Sequence, residues 1–200
     1  MSRTKNETRQ LISQESWLCK EIIHLLETNP SKSLNLKVKS NFINSRTSSK
    51  PVFRIIKFLK KTDTNDLALV LADSTHKIFA RFPFKPTIVN FENKYNQRIT
   101  YCTTNSLILV KQAELIRVSP WEIRQNYDDL VNSSLDYLVL NVLLLEIFQR
   151  DQILLTTDIY LEYIYQDDRY QQLCKHITDD VRTTAAIRRI NSDYDDVVSL

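Results

Sequence analysis

A chain of 200 residues with no glycine lacks the one residue that reaches positive φ without steric cost. Its tight turns fall to Asn and Asp, whose short polar side chains bond to nearby backbone and tolerate left-handed geometry. Asp63-Thr64-Asn65-Asp66 has that chemistry and is expected to be the hairpin between a first and a second strand. The same absence excludes sites where backbone must approach phosphate or make a strained turn. Walker A loops, GxGxxG dinucleotide turns, nucleophile elbows, EF-hand loops and glycine-dependent RNA modules are all ruled out as such.

From Phe53 to Val118 the chain holds FRIIKFLKK, DLALVLADSTHKIFARF, KPTIVNFENKYNQRI and TTNSLILVKQAELIRV in that order. Leu67, Leu69 and Leu71 fall on one side of a strand and Ala68, Val70 and Ala72 on the other, and the alternation continues through Ile78, Ala80 and Phe82. Beyond Phe82 the period changes, because Ile88, Phe91 and Tyr95 share one helical stripe that no strand register collects. This order predicts a mainly β protein with flanking helices: a five-stranded OB-fold barrel near Val52 to Leu143, with the Ile88–Tyr95 helix between its third and fourth strands. The run SSLDYLVLNVLLLEIF from Ser133 is apolar on both faces, which fits a buried helix or a central strand equally. The barrel still needs its last strand there, so Leu135 to Leu143 is assigned to it.

A hydrophobic content of 42% supports one substantial core, and a second domain would leave both halves small. Residues 1–50 are expected to form an N-terminal arm with a short helix and a basic loop, 51–152 the OB-fold core, and 153–200 a C-terminal helix and acidic tail. Trp17, Leu18, Ile22, Leu25 and Leu26 form the apolar stripe of the first helix, ending near Asn29-Pro30 where proline cannot continue it. Leu34, Leu36 and Val38 alternate as an edge strand would. Asp158 is placed to cap a helix with Tyr160, Tyr163 and Ile164 on one stripe.

Cys19, Cys102 and Cys174 are odd in number and far apart, with no cleavable apolar leader before them, so a reducing intracellular compartment is expected. The apolar run Leu138 to Phe148 is interrupted by Asn141 and Glu146 and is too short to cross a bilayer; no membrane partner is expected.

The net charge of +3 conceals an asymmetry. Lys32, Lys37, Lys39, Arg46, Lys50, Arg54, Lys57, Lys60 and Lys61 lie between Thr28 and Thr62 without a carboxylate, whereas 151–200 carries about twice as many acids as bases. A basic arm beside a barrel fits single-stranded DNA or RNA, weakly held through counterion release, with Lys32, Lys37, Lys39, Lys50 and Lys57 as the candidate contacts. The same segment also fits a solvated loop rich in Lys and Ser. Phe53, Phe58, Phe79 and Tyr101 lie on or beside strands, where OB proteins stack bases; side chains of that kind also fill small barrels.

Cys19 and His24 are five residues apart and off a shared helical face, and Cys174-Lys175-His176 has no second pair, so no metal site is expected. No Ser, Cys or carboxylate has a His beside it in a catalytic arrangement, and neither a catalytic residue nor a cofactor is expected. His76 reads as a hairpin residue. Asp73 ends the second strand and Arg98 follows the central helix, so the two are expected to form a structural salt bridge fixing helix to sheet.

Trp17 on a leading helix, F53-R-I-I-K-F58, L71-A-D-S-T-H-K-I78, Phe91, R98-I-T100, T103-T-N-S-L107, V139-L-N-V142, I147-F and D151-Q152 together resemble one family of small telomerase subunits of budding yeasts, the third "ever shorter telomeres" proteins. The resemblance spans Phe53 to Gln152 in one colinear run plus the Trp17 helix. It implies a non-catalytic OB fold similar to the telomerase-recruiting domain of mammalian shelterin. It also implies contacts with the telomerase reverse transcriptase and other holoenzyme proteins, and a place in the nucleus at chromosome ends. The family's functional surface maps onto Trp17, Arg54, Asp73, Arg98, Thr104 and Asp151, with Trp17, Arg54, Thr104 and Asp151 as the partner-binding set. Arg54 stands where the family can have Lys, which keeps charge but alters hydrogen-bond geometry.

Overall fold

The structure, a computed structural model, describes residues 16–28, 36–38, 51–61, 65–127, 137–149 and 161–174. Its strands are β1 (Leu36–Val38), β2 (Val52–Lys61), β3 (Leu67–Ala72), β4 (His76–Phe82), β5 (Leu107–Val118), β6 (Tyr137–Gln149) and β7 (Glu162–Tyr163). Helix α1 opens as a π-turn at Leu18–Ile22 and continues over Ile23–Thr28. Helix α2 does the same at Phe84–Val89 and Asn90–Tyr95, and α3 spans Pro120–Asn126.

Strands β2, β3 and β4 form an antiparallel meander, and β5 pairs antiparallel with both β2 and β6. A short parallel contact, Ala80↔Leu140 and Arg81↔Asn141, joins β4 to β6 and closes a five-stranded barrel. This is the OB-fold arrangement, with α2 between the third and fourth barrel strands as its amphipathic stripe requires. Edge strand β1 adds to β5 through Leu36↔Leu115 and Val38↔Ala113.

Left-handed backbone occurs, among the described residues, at Asn65 (φ 63°), Asn96 (φ 49°) and Asn105 (φ 66°). Each replaces a glycine in function: Asn65 precedes β3, Asn96 terminates α2 as its C-cap, and Asn105 turns the chain into β5. Asp66 then anchors the start of α2. It is 5% exposed, forms an ion pair with Arg81, and its Oδ1 accepts from the Phe84 N–H at 2.8 Å.

The core is continuous from α1 through the barrel to the C-terminal segment. From Ala68 to Ala72 β3 is buried throughout, not alternately, so both of its faces are covered; Leu18, Ile22, Ile23 and Leu26 of α1 belong to the same buried cluster. The parallel seam between β4 and β6 is short, so backbone groups beside it lack ladder partners. Buried tyrosines fill the gap. The Tyr165 hydroxyl accepts from the Phe79 N–H at 3.1 Å and donates to the Leu138 carbonyl at 2.7 Å, while the Tyr170 hydroxyl accepts from the Leu138 N–H at 3.2 Å. Around them Phe79 packs against Tyr127, Tyr137, Tyr163 and Tyr165 with centroids 5.0–6.3 Å apart.

Two element expectations need correction. Strand β6 runs to Gln149, past Leu143, because it pairs with β5 from Val118↔Tyr137 to Leu107↔Gln149; Leu135 lies outside the described residues. Tyr163 and Ile164 do not share a helical stripe. Tyr163 belongs to β7, Ile164 opens a 3-10 turn (Ile164–Gln166), and helical backbone follows at 168–174, capped by Asp167 through bonds from the Arg169 and Tyr170 N–H groups. Asp158 and Tyr160 lie outside the described residues.

Candidate protein-interaction site

The β3–β4 turn, Asp73-Ser74-Thr75-His76, is organised by one carboxylate. Asp73 Oδ1 accepts from the Thr75 N–H (2.8 Å), the His76 N–H (2.9 Å) and the Thr75 hydroxyl (3.3 Å), which is an Asx-turn. Its Oδ2 reaches the start of α1, accepting from the Leu18 N–H and the Ser16 hydroxyl, both at 2.8 Å. Ser16 Oγ in turn accepts from the Cys19 N–H at 3.0 Å. Helix starts leave N–H groups without intrahelical partners, and here Ser16 and Asp73 satisfy two of them. Asp73 therefore fixes α1 to the barrel.

The expected Asp73–Arg98 salt bridge is not formed among the described residues: both carboxylate oxygens are engaged by α1 and the turn, and Arg98 is exposed on the segment after α2. Asp73 instead bonds the start of α1.

Fixing α1 this way sets Trp17, which is 3% exposed and meets Phe53 edge-on with centroids 5.4 Å apart. Trp17 is thus core, not a binding anchor, because the first turn of α1 faces β2. Arg54 follows Phe53 on β2, opposite Ala72 of β3 and Leu107 of β5, and is 4% exposed. Its side chain is therefore buried and not an exposed charge.

Thr104 lies in a loop bonded to the same stretch of β2. Thr100 Oγ1 accepts from the Cys102 N–H at 3.2 Å, opening the 3-10 turn Tyr101–Thr103, and the Thr104 N–H donates to the Tyr101 carbonyl at 3.0 Å. The Asn105 N–H then donates to the Ile55 carbonyl at 2.7 Å, and the Ile55 N–H donates to the Ser106 carbonyl at 3.1 Å. Thr104 is half-buried, and Tyr101 in the same loop is 81% exposed.

The fold thus brings Phe53–Ile55, the Asp73 turn next to Ala72, and the Tyr101–Thr104 loop around neighbouring positions of β2, with α1 clasped on by Asp73. Arg98 is not joined to them by any bond described. Asp151, Lys32, Lys39 and Lys50 lie outside the described residues. Lys37 is opposite Glu114 on the β1–β5 ladder, and Lys57 is exposed on β2.

Of the rings considered for base stacking, Phe53 and Phe79 are fully buried and Phe58 packs against the core. Tyr101 is the exposed one, and its local signal was the Thr100 and Asn105 turn chemistry, which marks a surface loop better than a strand. The nearest approach to a nucleophile is Cys19 beside His76. Burial, and then the Asp167 and Asp73 carboxylates, push that thiol up from its ordinary value, the opposite of what an activated cysteine needs.

A closed five-stranded barrel with a helix between its third and fourth strands is an OB-fold domain in class. The chain belongs to the family described as "Shelterin complex subunit, TPP1/ACD", whose model matches residues 14–161. It is 43% identical over 195 residues to the "Telomere replication protein EST3" of Debaryomyces hansenii, covering 95% of this chain and 96% of that one. Its identity to the Candida albicans protein of the same name is 39% over 176 residues, covering 87% and 83%. Among solved structures, "Est3 telomerase subunit in the yeast Hansenula polymorpha" superposes with a TM-score of 0.57 at 25% identity, covering 80% of this chain and 84% of that one.

Proposed function

We infer that this chain is a telomerase accessory subunit that supports telomere maintenance through protein contacts, catalysing no reaction itself. Membership of a shelterin-subunit family, with relatives named as telomere replication proteins along nearly their whole length, is the observation that carries this reading. Its partners are the telomerase reverse transcriptase and other holoenzyme proteins, and its place of action is the nucleus, at telomeres.

Thr104 and Asp151 form the partner-binding set together with Tyr101, whose exposed ring is the kind of side chain that anchors interfaces. Trp17 and Arg54 contribute by shaping β2 and the loop beneath that surface. Changing an exposed ring or a rim charge alters association more than folding. Tyr101→Ala and Asp151→Lys are therefore expected to shorten telomeres and reduce co-purification of the telomerase catalytic subunit, with thermal unfolding unchanged.

The rival reading rests on the basic segment. If single strands are the ligand, neutralising Lys32, Lys37, Lys39, Lys50 and Lys57 is the damaging change, and the salt dependence of DNA binding becomes shallower. Normal telomeres in the Tyr101 and Asp151 variants beside shortening in the lysine set would overturn the interface reading.

A further inference from the structure

Three segments far apart in sequence each bring one metal-binding side chain to the same place. Cys19 comes from the first turn of α1, His76 from the start of β4, and Asp167 from the cap of the helix at 168–174; all are half-buried, with one ligand atom from each within 4.8 Å of the others. The thiol sulfur is 3.2 Å from His76 Nδ1 and 3.9 Å from Nε2. A tetrahedral zinc ion, with bonds of about 2.3 Å to sulfur and about 2.0 Å to nitrogen, holds those atoms roughly 3.5 Å apart. The sulfur-to-Nε2 distance of 3.9 Å lies about 0.4 Å above that value.

The surroundings leave one ligand atom available on each side chain. His76 Nδ1 is 2.8 Å from the Thr75 hydroxyl, which donates to Asp73 Oδ1 at 3.3 Å. With the proton on Nδ1, donated to Thr75, the imidazole presents Nε2 bare, the tautomer that metal-bound histidines take when a second group holds the other nitrogen. Asp167 Oδ1 is occupied by the Arg169 and Tyr170 N–H groups at 2.9 and 3.3 Å, and Oδ2 has no hydrogen bond among the described residues.

We propose that Cys19 Sγ, His76 Nε2 and Asp167 Oδ2 form a zinc site, with water in the fourth position, that clasps α1 and the C-terminal segment to the β3–β4 turn. Sulfur, imidazole and carboxylate together select zinc over magnesium or calcium, which want oxygen alone. Sequence spacing hides the site because its ligands are 57 and 91 residues apart and share no short motif. Three protein ligands leave the site open to solvent, as half-burial of all three allows ion entry.

The test uses the untagged full chain stripped of metal and titrated with cobalt(II). One equivalent is expected to produce tetrahedral ligand-field bands and a near-ultraviolet sulfur-to-cobalt charge-transfer band, both abolished by zinc, and zinc is expected to raise the melting temperature. Cys19→Ser should remove the charge-transfer band, and Asp167→Asn, which keeps the Oδ1 cap, should weaken zinc binding at least tenfold. Cys102→Ser should change neither. Absence of the band in the wild type, or its survival in Cys19→Ser, overturns the proposal. If Cys19→Ser does not fold by circular dichroism, Asp167→Asn decides, and undiminished zinc affinity in that variant overturns it.

Discussion

At the scale of single residues, the outcome turned on where polar side chains sit relative to backbone needs. Asp73 is at the strand end that the alternation marks, and its local Asx-turn bonds were open to sequence reasoning. Its bonds to Ser16 and Leu18, 57 and 55 residues away, were not, since nothing in the sequence places the start of α1 against the β3–β4 turn. Replacing the carboxylate by a methyl orphans the Leu18 N–H and the turn N–H groups together, so Asp73→Ala is expected to cost about 2–3 kcal/mol in chemical denaturation. Arg98→Glu should stay within ~0.5 kcal/mol of wild type, as exposed substitutions do, and an Asp73→Arg/Arg98→Asp double variant should recover nothing. Recovery in the double variant would restore the ion pair that the structure replaces.

At the scale of elements, the apolar runs and the change from strand to helical period after Phe82 located β2, β3, β4, α2 and β5 closely, even though bulges shift the register of β2 and β5. Periodicity was uninformative for the segment after Glu162, where the Tyr165 and Tyr170 hydroxyls serve backbone groups of β4 and β6. Tyr165 and Tyr170 are selected by the unpaired backbone of β4 and β6, a condition that exists only once the barrel has closed. Tyr165→Phe would keep the ring and strip partners from the Phe79 N–H and the Leu138 carbonyl, at an expected cost of about 1–3 kcal/mol. The same hydroxyls give a pH signature. Burial holds Tyr165 and Tyr170 well above the ordinary value of 10.0, so above that pH the unfolded chain releases protons that the folded one retains. Stability is therefore full below about pH 10 and falls as pH rises towards the folded values. Tyrosinate absorbance should rise together with loss of secondary structure, and ionisation of these rings without unfolding would contradict their burial.

For the whole molecule, the question is where the folding unit ends. The family match stops at residue 161, and sequence patterning likewise placed the core at 51–152, with the remainder as an appended helix and tail. The packing puts the boundary later: Ile164, Tyr165, Tyr170 and Cys174 are all in the buried cluster that contains Phe79 and Leu138. Without them Phe79, Tyr137 and Leu138 would lose apolar cover, and the backbone groups beside the β4–β6 seam would face water or nothing. Burying one large apolar side chain stabilises by roughly 1.5–3 kcal/mol, so removing several of them approaches the whole stability of a domain this size. A chain ending at residue 160 is therefore expected to lose its single cooperative urea transition and to bind hydrophobic dyes, whereas a chain ending at 176 should unfold as one unit with close to full stability. If the two truncations unfold alike at the wild-type midpoint, the C-terminal segment is an appendage, and the barrel seam closes without it.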